Sequence, residues 1–188
     1  MVPGAAGSVM TTGRYTKLEP LGPHRVQAVA GLAMSMASSG RWRLGNSSGG
    51  DEVLGRVLSA GIVRQRIIVS RESGELVGLC QLINADWRAG RAELTVLIGP
   101  QYWMRSWPME GVGLFIQDCF EQTPLRKLCA SVTPEVLQAI RSGIDRYFSV
   151  DGVQRQREYI NGEYVDLTLL SFDRSAWPFE RIHRFVSR

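Results

Sequence analysis

Residues 92–132 read AELTVLIGPQYWMRSWPMEGVGLFIQDCFEQTPLRKLCASV, and this stretch decides the fold of the chain. Its apolar residues form a buried strand over 92–98, recur at helical spacing from Pro108 to Phe120, and form a second buried strand over 128–132. Between the first strand and the helix, backbone N–H groups of the turn lack intrahelical partners and can hold a phosphate. The unit therefore predicts a cofactor that carries a nucleotide.

The segments around this unit supply further strands and helices. Gly22-Pro23 turns the chain into a helix, and Asp51 is a suitable N-cap for a helix that ends near Ala60. Pro134 opens another helix after the second buried strand. The strands predicted before the turn cover residues 14–21, 65–70, 75–84 and 91–98.

A β-hairpin is predicted near the C-terminus. Asn161-Gly162 supplies the two positive-φ residues of a type I′ turn. Counting outward from the turn places Tyr159 opposite Tyr164 and Arg157 opposite Asp166, so an aromatic pair lies beside an ion pair on one face. Periodicity and turns together indicate a mixed α/β chain.

Composition favours a single domain in the cytoplasm. The chain has 188 residues with 44% hydrophobic content, which suits one domain with a substantial core. No apolar run approaches the roughly 20 residues that cross a bilayer, and the first residues lack the pattern of a signal peptide. Residues 1–13 are small, polar and unpatterned, so we expect a flexible segment there.

Charge and cysteine usage argue against two other classes of protein. The net charge is +4, but Lys17 and Lys127 are the only lysines and no basic run stands out, so nucleic-acid binding is not expected. Cys80, Cys119 and Cys129 are odd in number and widely spaced, which fits neither a disulfide framework nor a zinc site. We expect buried thiols and no metal.

The order and the amino-acid sequences of these segments resemble those of the GNAT superfamily of N-acetyltransferases, particularly the branch of ribosomal-protein N-terminal acetyltransferases. In that family an Arg/Gln-x-x-Gly-x-Gly/Ala signature follows the fourth strand, and the match here is the segment from Gln101 to Gly111. The resemblance implies a GNAT fold over residues 14–178, with a mixed, mostly antiparallel seven-stranded sheet and helices on both faces. Residues 179–188 would then be a C-terminal tail.

The resemblance also implies where acetyl-CoA, or a related acyl-CoA, binds. The backbone of the fourth strand would hold the pantetheine arm and the turn would hold the pyrophosphate, with a further hydrogen bond to the arm from Ser142. Met104 and Ser106 stand where relatives usually have glycine, and methionine tolerates positive φ poorly. The implied contacts are Val96, Leu97, Ile98, Gln101, Met104, Arg105, Ser106, Trp107 and Ser142.

Acyl transfer to an amine needs a base for the amine and an acid for the departing thiolate. Glu93, on the face shared by Thr95 and Leu97, lies where the superfamily often keeps its base, and Asp86 at the end of the third strand is the alternative. Relatives place a tyrosine after the fifth strand as the acid. The nearest phenol in this chain is Tyr147, which is also an ordinary core residue by its pattern.

The acceptor is expected to contact loops that carry arginine and tryptophan, namely Arg41, Trp42, Arg43 and Trp87. The resulting hypothesis is an acyl-CoA-dependent N-acyltransferase that acts on a primary amine of a protein N-terminus, a lysine or a small molecule. The alternative is a non-catalytic GNAT-fold protein that binds acyl-CoA or regulates a partner. No membrane partner is expected, and a homodimer is compatible with the pattern.

Overall fold

The computed structural model describes residues 11–38, 61–160 and 162–179. The helix predicted from Asp51, most of the predicted terminal segments and Asn161 lie outside the described residues. Within these ranges the strands are β1 (Thr16–Glu19), β2 (Ile62–Ser70), β3 (Leu76–Asp86), β4 (Arg91–Ile98), β5 (Lys127–Val132), β6 (Ser149–Ile160) and β7 (Glu163–Asp173). β2 begins at Ile62 rather than at Gln65.

The strands form one sheet in the order β1-β2-β3-β4-β5-β7-β6. Neighbouring strands are antiparallel, except that β4 and β5 are parallel. The helices are α1 (Pro23–Ser38), α2 (Pro108–Gln122) and α3 (Pro134–Ile140). The seven-stranded, mostly antiparallel sheet implied by the resemblance is therefore confirmed, and none of the helices in the described ranges is long and apolar enough to cross a bilayer.

Successive strand residues point to opposite sides of the sheet, so each face carries its own apolar side chains. Helices cover both faces. Ile67 of β2 joins the cluster under α1, whereas the next residue, Ile68, joins the larger cluster under α2. α2 approaches the sheet closely at Gly111, where a Cβ atom would lie 2.5 Å from Cγ2 of Ile68. The α1 cluster contains Val29, Ala33, Ile67, Val69, Leu79 and Leu97.

β4 and β5 pair over only part of their length. Their ladder joins Arg91 to Lys127, Ala92 to Leu128 and Glu93 to Cys129, and it stops there. β4 continues to Ile98 while paired with β3, and β5 continues to Val132 while paired with β7. The two strands therefore diverge after Glu93 and leave an opening in the sheet.

The predicted C-terminal hairpin is present. Gly162 has a φ of 92°, as the turn requires, and Tyr159 pairs with Tyr164. The two rings are 5.1 Å apart between centroids, so the predicted aromatic pair is confirmed.

The prediction of an ion pair beside the aromatic pair is wrong. The β6–β7 ladder is irregular between residues 154 and 158, so Arg157 is not paired with Asp166. Gln156 takes a φ of 48° at this irregularity, and its backbone N–H donates to Oδ1 of Asp166 over 2.8 Å. A backbone amide, rather than the guanidinium, thus meets the carboxylate.

Candidate active site

The opening between β4 and β5 presents backbone groups without strand partners. Leu94 and Leu97 are buried, and β4 is paired over this part only on its β3 side. In the part of the chain that the structure describes, no strand pairs with the other edge of residues 94–98. Since backbone polar groups are rarely left unpaired away from water, this edge is suited to a ligand that carries amide groups. Val96, Leu97 and Ile98, the predicted contacts of the pantetheine arm, lie on this edge.

The turn that follows β4 is a succession of tight turns. The N–H of Tyr102 donates to the carbonyl of Gly99 over 2.8 Å, and the N–H of Arg105 donates to the carbonyl of Tyr102 over 3.2 Å. Within residues 61–160, the amides of Met104, Ser106 and Trp107 find no backbone acceptor. Three donors therefore remain available just before the start of α2, where the helix dipole favours an anion.

Aromatic side chains fix this turn on the sheet. The hydroxyl of Tyr102 donates to Oε2 of Glu75 over 3.1 Å, and its ring meets that of Trp107 edge-on at 5.3 Å. The indole N–H of Trp103 donates to the carbonyl of Ile98 over 3.1 Å. Burial, followed by the hydrogen bond to Glu75, raises the pKa of Tyr102, so its hydroxyl stays protonated and remains a donor at neutral pH. These contacts hold the turn in one place.

Met104 takes the backbone conformation that glycine would adopt. Its φ is 62°, in the left-handed region, and its side chain is 85% exposed. The left-handed conformation costs a residue with a Cβ atom about 1–2 kcal/mol. Methionine thus takes a positive φ at the position where the signature has glycine. Gln101, Arg105 and Ser106 are also exposed on this turn, where a ligand can reach them.

Glu110 is a functional candidate that the sequence analysis missed. It lies in the first turn of α2 and is fully buried. Its carboxylate accepts the N–H groups of Arg14, Tyr15 and Thr16 and the hydroxyl of Thr16, over 2.7 to 2.9 Å. An acidic residue just after Pro108 was the available signal, but its partners are more than ninety residues away in the sequence.

Glu93 lies where β4 and β5 begin to diverge. It is exposed, and its Oε2 accepts a hydrogen bond from Nδ2 of Asn84 over 3.0 Å. It shares the α1 side of the sheet with Leu97, as the alternation predicts. The carboxylate is thus oriented by a neighbour and accessible to an approaching amine.

The surface beside Glu93 on this face is polar. Cys129 pairs with Glu93 on one side and with Ser171 on the other, and burial raises the pKa of the Cys129 thiol. The hydroxyl of Ser171 donates to Asp151 over 2.8 Å and accepts from Nζ of Lys127 at 3.2 Å. An amine substrate bound next to Glu93 would therefore contact hydrogen-bonding groups rather than apolar core.

Asp86 and Trp87 lie at the far end of β4. Oδ1 of Asp86 accepts the N–H of Ala89 over 2.9 Å, and its carboxylate is 3.8 Å from Arg91, so Asp86 closes the β3–β4 turn. Trp87 is 55% exposed on the same turn. The eight-residue strand β4 separates this turn from the one after Ile98 by roughly 23 Å at 3.3 Å per residue. The structure therefore separates Asp86 and Trp87 from the turn after Ile98, whereas Asp86 pairs with Arg91 at the same end of β4 as Glu93.

The remaining described candidates, Tyr147 and Ser142, lie on the segment between β5 and β6. Tyr147 is half-buried on the α2 side, with its ring centroid 6.4 Å from that of Trp177, whereas Glu93 faces the α1 side. Ser142 is exposed in the short turn after α3. Arg41, Trp42 and Arg43 lie outside the described residues. Among the described side chains, no three His, Cys, Asp or Glu residues are grouped so that they could hold a metal ion.

The fold and the divergent β4–β5 pair define a GNAT-type acyltransferase architecture. A family model described as an acetyltransferase (GNAT) domain matches residues 27–141, which is more than half of the chain. The chain therefore belongs to the GNAT family of N-acetyltransferases. The narrower resemblance to the ribosomal-protein branch stays a prediction.

Individual relatives agree with this assignment. The uncharacterized N-acetyltransferase p20 of Bacillus licheniformis is 28% identical over 104 residues, which are 55% of this chain and 58% of that protein. The match thus spans less than two thirds of that relative. The structure of spermidine N-acetyltransferase from Vibrio cholerae with CoA and spermine has a TM-score of 0.73 at 18% identity, covering 87% of this chain and 98% of the other.

A GCN5-related N-acetyltransferase from Brucella melitensis has a TM-score of 0.71 at 21% identity, covering 94% of this chain and 85% of the other. At these identities the likenesses to solved structures show the fold.

Proposed function

We propose that this chain transfers the acetyl group of acetyl-CoA directly to a primary amine. The observation that carries the proposal is the opening between β4 and β5, which leads to a turn whose amides of Met104, Ser106 and Trp107 are available ahead of α2. Acetyl-CoA supplies an activated acyl group as a thioester. The described residues fit it, because an arm with amides and a pyrophosphate need a backbone edge and a group of N–H donors.

The chain's own residues would divide the binding as follows. The backbone of residues 94–98 holds the arm, and Ser142 adds a hydrogen bond to it. The amides of the turn bind the pyrophosphate, and the exposed guanidinium of Arg105 adds a charge-assisted hydrogen bond. Tyr102 and Trp103 keep the turn in position through their bonds to Glu75 and to the carbonyl of Ile98.

Glu93 would accept the proton of the incoming ammonium group. An amine attacks only with a free electron pair, so a carboxylate that removes the proton raises the rate, typically by about 10²–10⁴-fold. Glu93 is exposed at the point of divergence, and Asn84 holds its Oε2. Asp86 is engaged in closing its own turn and serves as the alternative base.

The acceptor would be a primary amine. Several of the structural neighbours are described as spermidine N-acetyltransferases, which makes polyamines the first small molecules to test. Peptide N-termini follow from the predicted resemblance to the ribosomal-protein branch. Arg41, Trp42, Arg43 and Trp87 remain the candidate contacts for the acceptor.

The test is the release of free thiol from acetyl-CoA in the presence of a panel of acceptors. The panel contains spermidine, spermine, lysine and peptides with free or blocked N-termini. We expect thiol release to depend on one of the unblocked amines, with a matching mass increase of that amine. Binding of acetyl-CoA without release by any acceptor would contradict the proposal and favour a non-catalytic binding protein.

A further inference from the structure

The carboxylate of Glu110 is the most completely bonded acidic group near the proposed pyrophosphate turn. Oε1 accepts the N–H of Arg14 over 2.7 Å. Oε2 accepts the N–H of Tyr15 over 2.8 Å and both the N–H and the hydroxyl of Thr16 over 2.9 Å. Thr16, like Glu110, is fully buried, so the two bonds between them are shielded from water.

The direction of this side chain matters for the turn. Glu110 is the third residue of α2, where a glutamate commonly reaches back to the amide at the start of its own helix. Here it instead bonds residues 14–16, and Trp107 at the N-cap has no side-chain cap. The acid that would compete with an anion for the turn amides is therefore held away from them.

The same bonds fix the start of α2 on the sheet. Residues 14–16 lead into β1, which is antiparallel to β2 from Thr16 onward. The carboxylate packs so closely on this segment that a Cβ atom at Gly13 would lie 2.3 Å from Cδ of Glu110. The first turn of α2 and the preceding donors are consequently anchored to the edge of the sheet by one side chain.

We propose that Glu110 is a positioning residue for the pyrophosphate of acetyl-CoA, and this inference rests on the proposed function. It touches neither cofactor nor acceptor. It fixes the first turn of α2 directly after the amides of Met104, Ser106 and Trp107, which have no backbone acceptor, and its own charge is bonded by other donors.

Glu110→Gln tests the role, because it places an NH₂ group against at least one N–H donor while keeping the side chain's shape. Because the N–H donors of the turn would be misplaced, we expect CoA to bind about ten-fold more weakly. S-acetylpantetheine lacks the pyrophosphate, so its affinity should stay within about two-fold of that of the wild type. The control is Asp118→Asn, a second buried acid of α2 that bonds Arg64 two turns further on. It should lower the melting temperature without changing the ratio of the two affinities.

Equal weakening of both ligands by Glu110→Gln, or the same CoA-selective loss in Asp118→Asn, would overturn the proposal. If Glu110→Gln does not fold, Thr16→Val tests the same role, because it removes the Thr16 hydroxyl, one of the four hydrogen-bond donors to the Glu110 carboxylate. A CoA-selective loss of about three-fold then supports the role, and an unchanged ratio refutes it. Failure of the wild-type protein to bind CoA would instead refute the proposed function.

Discussion

The side-chain amide of Asn84 donates to the carboxylate of Glu93, with Nδ2 and Oε2 3.0 Å apart. Asn84 has a φ of 51° at an irregularity of the β3–β4 ladder between Ile83 and Asp86. Such irregularities redirect side chains, and asparagine tolerates the left-handed conformation better than most residues. The distortion of β3 therefore places a hydrogen-bond donor on the carboxylate that we propose as the base.

Glu93→Gln should lower the turnover number by about 10²–10⁴-fold, because glutamine keeps the shape but cannot take a proton. The affinity for acetyl-CoA should change little, since the side chain lies at the start of the opening. Steady-state rates with a saturating amine, together with titration of acetyl-CoA, measure both quantities. Asp86→Asn is the matched control, and it should leave turnover within a few-fold of wild type.

A Glu93→Gln protein that keeps more than half of the wild-type rate would exclude Glu93 as the base. Positioning of an already deprotonated amine would then account for the rate. A large loss in Asp86→Asn alone, with its fold intact, would move the assignment to Asp86.

Arg105→Ala should weaken CoA by about ten- to one-hundred-fold, which corresponds to a hydrogen bond to a charged group. S-acetylpantetheine should be unaffected because it carries no pyrophosphate. Arg88→Ala is the control, since Arg88 is likewise an exposed arginine but lies on the β3–β4 turn at the other end of β4. Calorimetric titration of each variant measures the difference, and equal losses in both variants would indicate a non-specific effect of charge.

Met104→Gly should increase the free energy of unfolding by up to about 1 kcal/mol, because it relieves the left-handed strain at φ 62°. It should also increase the affinity for CoA if the methionine side chain narrows the approach of the pyrophosphate to the turn. Met104→Ala separates the two effects, because it removes the long side chain but keeps the Cβ atom. Chemical denaturation and CoA titration of both variants measure them.

Tighter CoA binding in both variants would assign the effect to the bulk of the methionine side chain. Tighter binding in Met104→Gly alone would assign it to the backbone conformation. Unchanged or weaker binding in both would show that the turn accommodates methionine without loss of function.

The elements that the sequence predicts best are those whose structure is locally determined. The hairpin at Gly162 follows from its turn residues, and the strand–turn–helix unit formed by β4, the turn and α2 follows from periodicity. The irregularity at Gln156 does not, because no local signal marks it. Glu110 was missed for a similar reason, since residues 14–16 become its partners only after the whole sheet has formed.

Arg64 and Asp118 supply the last prediction, which concerns stability. Nη2 of Arg64 donates to Oδ1 of Asp118 over 2.6 Å, and Nε donates to Oδ2, so the pair is bidentate. The Asp118 side chain is fully buried and that of Arg64 is 21% exposed. The hydrogen bond to Asp118 raises the pKa of Arg64 from an already high value, so the guanidinium stays charged across the range where the protein folds.

Arg64→Met should lower the free energy of unfolding by about 3–5 kcal/mol, because it leaves a buried carboxylate without its partner. Adding Asp118→Leu should recover most of that loss, since apolar residues of similar volume can replace a buried ion pair at little cost. Arg91→Ala breaks the exposed pair with Asp86 and should cost only about 0–1 kcal/mol. Urea denaturation of the single and double variants measures these differences, and a double variant no more stable than Arg64→Met would show that the pair, rather than its burial, holds α2 on β2.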